Sequence, residues 1–141
     1  MSTTRISETL RRIVIARAAG CCEYCLTPSK FALIPHQVDH VVAEKHGGAT
    51  IAENLALACV VCNQLKGSDI ASIDPETGQI SPLFNPRRDS WRAHFAIRGA
   101  LIVPLTPAGR ATTQLLQLNA PKHLIERKRF AEDGHPIQPR R

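Results

Sequence analysis

The chain reads as an α+β protein whose core is held by four cysteines. Two Cys-x-x-Cys pairs, Cys22/Cys25 and Cys59/Cys62, bracket an inserted segment of 33 residues. Two short apolar stretches inside that bracket, "VDHVV" and "LALAC", have the length and side chains of strands. Before and after it, apolar residues recur at helical spacing.

The first helix is expected over residues 5–19. Ile6, Leu10, Ile13, Val14 and Ala18 fall on one face, Ser7 caps the first turn and Gly20 ends it. Residues 21–35 carry prolines and read as irregular. Residues 38–42 are β-branched and read as a strand, and "EKHGGAT", 44–50, as a loop with a glycine pair. Thr50 and Glu53 have capping-box spacing, so "TIAEN" is expected to form a single helical turn. "LALAC" is the second strand, and "NQLKGSDI", after Cys62, begins a helix.

A second section follows. "DPETGQ", 74–79, is a turn, and Asp89 is placed to cap a short helix bearing Trp91 and Phe95. "ALIVPL" is a strand. Thr106 and Pro107 start a helix that runs through Leu115, Leu116 and Leu118. Residues 121–130 read as a basic helix. The expected organisation is a core over 1–70 with its N-terminal helix, a mostly helical extension over 71–131 packed on that core, and a disordered tail, 132–141.

The formal net charge is +6, which suits an anionic partner, nucleic acid being the commonest. The charges nearly cancel between the cysteine pairs. The excess lies outside, in Arg5, Arg11, Arg12 and Arg17, in Arg87, Arg88, Arg92 and Arg98, and in Arg127, Lys128 and Arg129. A generally basic, soluble surface is the plain alternative. No apolar run is long enough for a membrane span, and "MSTTRISETLRR" is too polar for a signal peptide. The expected location is therefore cytoplasmic, where paired cysteines are metal ligands rather than disulfides.

Two Cys-x-x-Cys knuckles can complete a tetrahedron of thiolates around one ion. Four soft sulfurs with no open position make a structural zinc site. The alternatives are two unrelated motifs, or zinc lost while the fold persists. Cys21 is surplus, either a small packing residue or a competitor of Cys22.

The insert holds "QVDH", which sets Asp39 beside His40, a costly pair to bury without a task. Asn54 follows, and Asn63 overlaps the second knuckle. Asp and Asn oxygens suit Mg²⁺ or Mn²⁺, and a neutral histidine beside such an ion can take a proton from water. Adjacent strand residues point to opposite faces, so the strand is expected to end or distort at this pair.

"VDHVVAEKHGG" followed by "NLALACVVCNQLKG" resembles the HNH endonucleases, whose fold is the ββα-metal, or His-Me, finger. The likeness covers roughly residues 17–67. "LFNPRRDSWRAHF" and "LTPAGRATTQLLQLN" also look like the extension of a bacterial subgroup. The resemblance implies metal-dependent hydrolysis of phosphodiester bonds in DNA, or in RNA. It implies that His40 is the general base, that Asp39 and Asn63 ligate the catalytic ion, and that Asn54 braces the loop between the strands. Asn63 stands where a histidine often stands, which makes this an H-N-N variant and favours Mg²⁺ or Mn²⁺ in the catalytic site, with zinc in the cysteine frame. Nucleic-acid contacts are expected at His46, Lys66, Arg87, Arg88 and Arg92, although each is also read as ordinary charged surface. A monomer would nick, and a double-strand cut would need two sites. The rival readings are a zinc-frame nucleic-acid binder without catalysis, and a protein-interaction adaptor.

Overall fold

The computed structural model describes residues 4–139. Residues 1–3, which open the polar N-terminal stretch, and 140–141, which close the tail expected to be disordered, lie outside them. The chain divides into two compact units. One comprises the residues up to Ile70 together with Asn85–Arg88, the other Ala71–Phe84 and the residues from Asp89 on.

In the first unit, Ser7 Oγ accepts a hydrogen bond from the Leu10 N–H at 3.2 Å and starts α1, Glu8–Arg17. Gly20, at φ +72°, turns the chain away from the helix. Ile6, Val14 and Ala18 are buried with Leu55 and Leu57, while Leu10 and Val38 are partly buried against them. Ile13 does not join this core face. It is 45% exposed, because it sits about 100° around the helix from Val14.

The first strand is shorter than expected. β1, Gln37–His40, pairs antiparallel with β2, Leu55–Ala58, in the register Gln37↔Ala58 to His40↔Leu55. All four residues of β2 are buried. Beyond His40 the partner changes. The Val41 N–H still reaches the Asn54 backbone carbonyl at 2.8 Å, but the Val42 N–H is taken by the Asn54 side chain. α2, Val60–Lys66, begins before Cys62 rather than after it, with Cys59 as its N-cap. The order strand, strand, helix places the second cysteine pair at the start of α2.

The connection between β1 and β2 holds two 3₁₀ turns, Glu44–His46 and Ala52–Asn54. The expected capping box does not form. Ile51, not Thr50, precedes the second turn, and no side chain caps it. Gly48 is required by close approach: a Cβ there would lie 1.8 Å from the Val42 carbonyl oxygen.

The second unit contains two hairpins not expected as such. β3, Ala71–Ile73, pairs with β4, Ile80–Pro82. α3, Trp91–His94, leads into β5, Phe95–Arg98, which pairs with β6, Leu101–Pro104. Phe95 is therefore a strand residue, not a second helix position. Ser90, not Asp89, precedes α3, and no side chain caps it. Trp91 packs on Phe95 with ring centroids 4.9 Å apart. Thr106 Oγ1 accepts from the Gly109 N–H at 3.0 Å and starts α4, Pro107–Leu115. α5 spans Pro121–Glu132, and Ile137 beyond it is buried. No helix among the described residues is long and apolar enough to cross a membrane.

Candidate metal centre and active site

The cysteine frame follows from the local geometry of its knuckles. The Cys25 N–H points at Cys22 Sγ at 3.5 Å, and the Cys62 N–H at Cys59 Sγ at 3.4 Å. The β1–β2 pair and Glu23 then bring the knuckles together. Glu23 exchanges two bonds with Leu57 of β2: its N–H donates to the Leu57 carbonyl, and its Oε2 accepts from the Leu57 N–H, both at 2.8 Å. The four Sγ atoms lie within 4.8 Å of one another. Cys25 Sγ and Cys59 Sγ are 3.7 Å apart. Thiolates bound at ~2.3 Å around a tetrahedral zinc stand about 3.8 Å apart, so the set fits that ion. It does not fit a disulfide, whose sulfurs are at ~2.05 Å, and all five cysteines are free thiols. Cys21 stays out of the cluster, its Sγ 3.7 Å from the Ala19 carbonyl.

Burial pushes the Cys22 thiol well up, and hydrogen bonds from its neighbours push Cys62 up. Hydrogen bonding from Cys22 pulls Cys25 well down and Cys59 down. Four crowded thiols thus keep some protons by themselves. A divalent cation would release them, which ties metal binding to proton loss and folding.

On β1, Asp39 and His40 occupy successive registered positions. The pairing runs through both without a bulge, and the strand ends at His40. Of the two outcomes expected at this pair, an end or a distortion, the strand ends and is not distorted. Both residues nevertheless line the same two cavities, together with Asn63. A ribbon two strands wide leaves the outer edge of β1 unpaired, and a cavity along that edge can be reached from either face.

His40 is 3% exposed, and its Nε2 lies 2.8 Å from Thr50 Oγ1. Asn54 holds the loop that carries Thr50. Its Oδ1 accepts from the Val42 N–H at 3.0 Å, and its Nδ2 donates to the carbonyls of Val42 and Ala49, both at 2.9 Å. Asn63 Nδ2 donates to Gln37 Oε1 across the mouth of the site. Burial pushes the Asp39 carboxyl up, and the Lys66 charge opposes that shift.

Lys66 itself is internal. It is 3% exposed, and its Nζ donates to the Val41 carbonyl at 2.9 Å, so it pins the chain just beyond His40 instead of facing a phosphate. Arg87 is internal too, its side chain 6% exposed and paired with Glu23 Oε1. His46, Arg88 and Arg92 are exposed. Other parts of the basic excess serve the fold. Arg17 donates to the carbonyls of Ala52 and Leu55 at 3.0 and 2.7 Å, and the buried Arg127 donates to the Ala100 carbonyl at 3.0 Å.

With this geometry in place, residues 22–69 match the sequence model of the HNH endonuclease family. This segment is similar to the HNH domain. No curated protein and no solved structure matches the chain. The HNH domain supports a nuclease-type function, with nucleic acid as the implied substrate. Its four cysteines can hold zinc, and HNH nucleases use divalent metals.

Sequence reasoning missed Thr50, Glu23 and Gln37. Thr50 has the spacing of a helix cap, and only its place at the end of the glycine-bearing loop hints at another task. Glu23 lies inside the first knuckle, and a carboxylate among metal ligands is the one signal the sequence offers for it. Nothing in the sequence marked Gln37.

Proposed function

We propose that the protein is a metal-dependent endonuclease that hydrolyses phosphodiester bonds in DNA. The observation that carries this reading is the convergence of Asp39, His40 and Asn63 on shared cavities within the HNH domain, with His40 Nε2 against Thr50. If Nε2 donates its proton to the Thr50 oxygen, Nδ1 keeps its lone pair and can act as a base.

In the proposed reaction, His40 takes a proton from water, the resulting hydroxide oxygen bonds to phosphorus, and the bond from phosphorus to the 3′ oxygen breaks. The 3′ oxygen leaves with a proton from solvent. Asp39 and the Asn63 side-chain oxygen are hard donors that suit Mg²⁺ or Mn²⁺. A bound ion would offset charge on the phosphate and on the departing oxygen. Asn54 and Thr50 keep the imidazole in place. The cysteine frame fixes the start of α2, and with it Asn63, relative to β1. Of the basic residues considered as DNA contacts, the exposed His46, Arg88 and Arg92 keep that role in this reading, whereas Lys66 and Arg87 act inside the fold.

The test is nicking of supercoiled plasmid in Mg²⁺, Mn²⁺ and EDTA, with His40→Ala alongside. Cleavage that needs the ion and falls by about 10²-fold or more in the variant is expected, the usual contribution of a general base. A His40→Ala protein that cuts as fast as the parent would overturn the mechanism. Salt-sensitive DNA binding with no cleavage in any ion would leave the non-catalytic binder.

A further inference from the structure

One of the two cavities extends well beyond the residues of the proposed chemistry. It encloses about 600 Å³, within the ~300–1,000 Å³ of sites that take a small organic ligand. Asp39, His40 and Asn63 line part of it. Apart from Gln37 and Val38 of β1, the remaining lining comes from the segment that leads into α1, from α1 itself and from the segment before β1, including Arg5, Arg11, Ile34 and Pro35.

The two arginines differ from most of the other basic residues of this unit. Arg12 pairs with Glu8 at 3.6 Å, Arg17 holds two backbone carbonyls, Arg87 pairs with Glu23, and Lys66 holds the Val41 carbonyl. Arg5 and Arg11 are exposed and enter no ion pair among the described residues. Arg5 is also held at its base. On one side of it, Thr4 Oγ1 donates to Glu44 Oε2 at 2.5 Å, and on the other Ile6 is buried in the core. The lining therefore combines two unpaired guanidinium groups, an apolar step at Ile34–Pro35, and the Asp39–His40 end of β1. A nucleic-acid strand offers the matching sequence of groups, since anionic phosphates alternate with sugars and bases that present apolar faces.

We infer that this cavity is the binding groove for the strand beside the scissile phosphate, with Arg5 and Arg11 holding a neighbouring phosphate and Ile34 and Pro35 against its sugar or base. The inference rests on the nuclease reading and adds to it the residues that bind substrate away from the metal. Neither arginine touches the reacting atoms, so both act on binding.

The experiment uses the full, zinc-loaded chain in a His40→Ala background, so that DNA binds without being cut. The affinity for a short fluorescein-labelled DNA duplex is measured by anisotropy over a range of salt concentrations. Each phosphate contact contributes about 0.9 to the slope of log K against log salt. The double variant Arg5→Ala/Arg11→Ala is expected to lower that slope by one to two units, while Arg12→Ala leaves it unchanged. All these side chains are exposed, and circular dichroism checks that each variant is folded. An unchanged slope in the double variant, with the parent binding in a salt-dependent way, would overturn the groove and leave the nuclease reading intact. A parent that binds DNA without salt dependence, combined with no plasmid cleavage by the wild type, would overturn both.

Discussion

Asn54→Ala tests how the loop between β1 and β2 is held. The Asn54 side chain makes three hydrogen bonds, all to backbone groups at the two ends of one loop. A typical bond contributes about 1 kcal/mol net, and one of these three is solvent-exposed, so the expected loss is about 2–3 kcal/mol. That is a large part of the ~5–15 kcal/mol that holds an ordinary domain together. Asn54→Asp should do no better. Its carboxylate keeps an acceptor for the Val42 N–H but turns a second oxygen toward the Val42 and Ala49 carbonyls, which are acceptors themselves. Urea denaturation of the zinc-loaded protein gives the stability, and hydrogen exchange at the Val42 amide gives the local effect. The Ala49 carbonyl is held one residue before Thr50, and Thr50 faces His40. Cleavage should therefore fall even under conditions where the variant stays folded. A midpoint shift worth less than about 0.5 kcal/mol, with Val42 protection unchanged, would refute the brace.

Thr50→Val keeps the shape and removes the oxygen beside His40 Nε2. The maximal single-turnover cleavage rate should drop about tenfold, the ~1.4 kcal/mol of one hydrogen bond, with DNA affinity unchanged. A variant that cuts at the parent rate would show that Thr50 does not position the imidazole. Removing zinc with a strong chelator should abolish the protection of β1 and β2 amides against exchange, and Cys59→Ser should bind zinc weakly, as elemental analysis would show. Unaltered exchange after verified zinc loss would make the frame dispensable. In the second unit, Asp74 accepts two bonds from Arg110 at 2.8 and 2.9 Å, which hold its carboxyl far below the usual range. A depressed folded value means the stabilisation is present above the ordinary carboxylate range near pH ~4 and is lost as pH falls below it. Acid melting curves should show that loss, and Arg110→Gln should flatten it.

The cysteine frame was legible in the chain because its information is local. Two thiols two residues apart already form half a tetrahedral site, whatever surrounds them. The strand–strand–helix order was legible too, since "LALA" is buried along its whole length and reads as an apolar run. Asp39, His40, Asn54 and Asn63 stood out through their pattern, not through any property of each residue alone.

Other features depended on partners distant in sequence. Thr50 has the spacing of a helix cap, yet its hydroxyl meets His40, ten residues away at the end of β1. Charge counting puts Arg17, Arg87 and Arg127 in a basic excess, and Lys66 is expected at nucleic acid. The fold turns each of them toward a carbonyl or a carboxylate, because buried backbone acceptors must be satisfied and long cationic side chains can reach them. β3, β4 and β5 are three or four residues long, too short for periodicity to identify, and became strands through pairing. Neighbours along the chain were enough to set the four-thiol frame and the strand–strand–helix order of the first unit. Only the tertiary structure decided which charges remain unpaired and which hydroxyl faces the histidine, because those follow from contacts between residues that folding alone brings together.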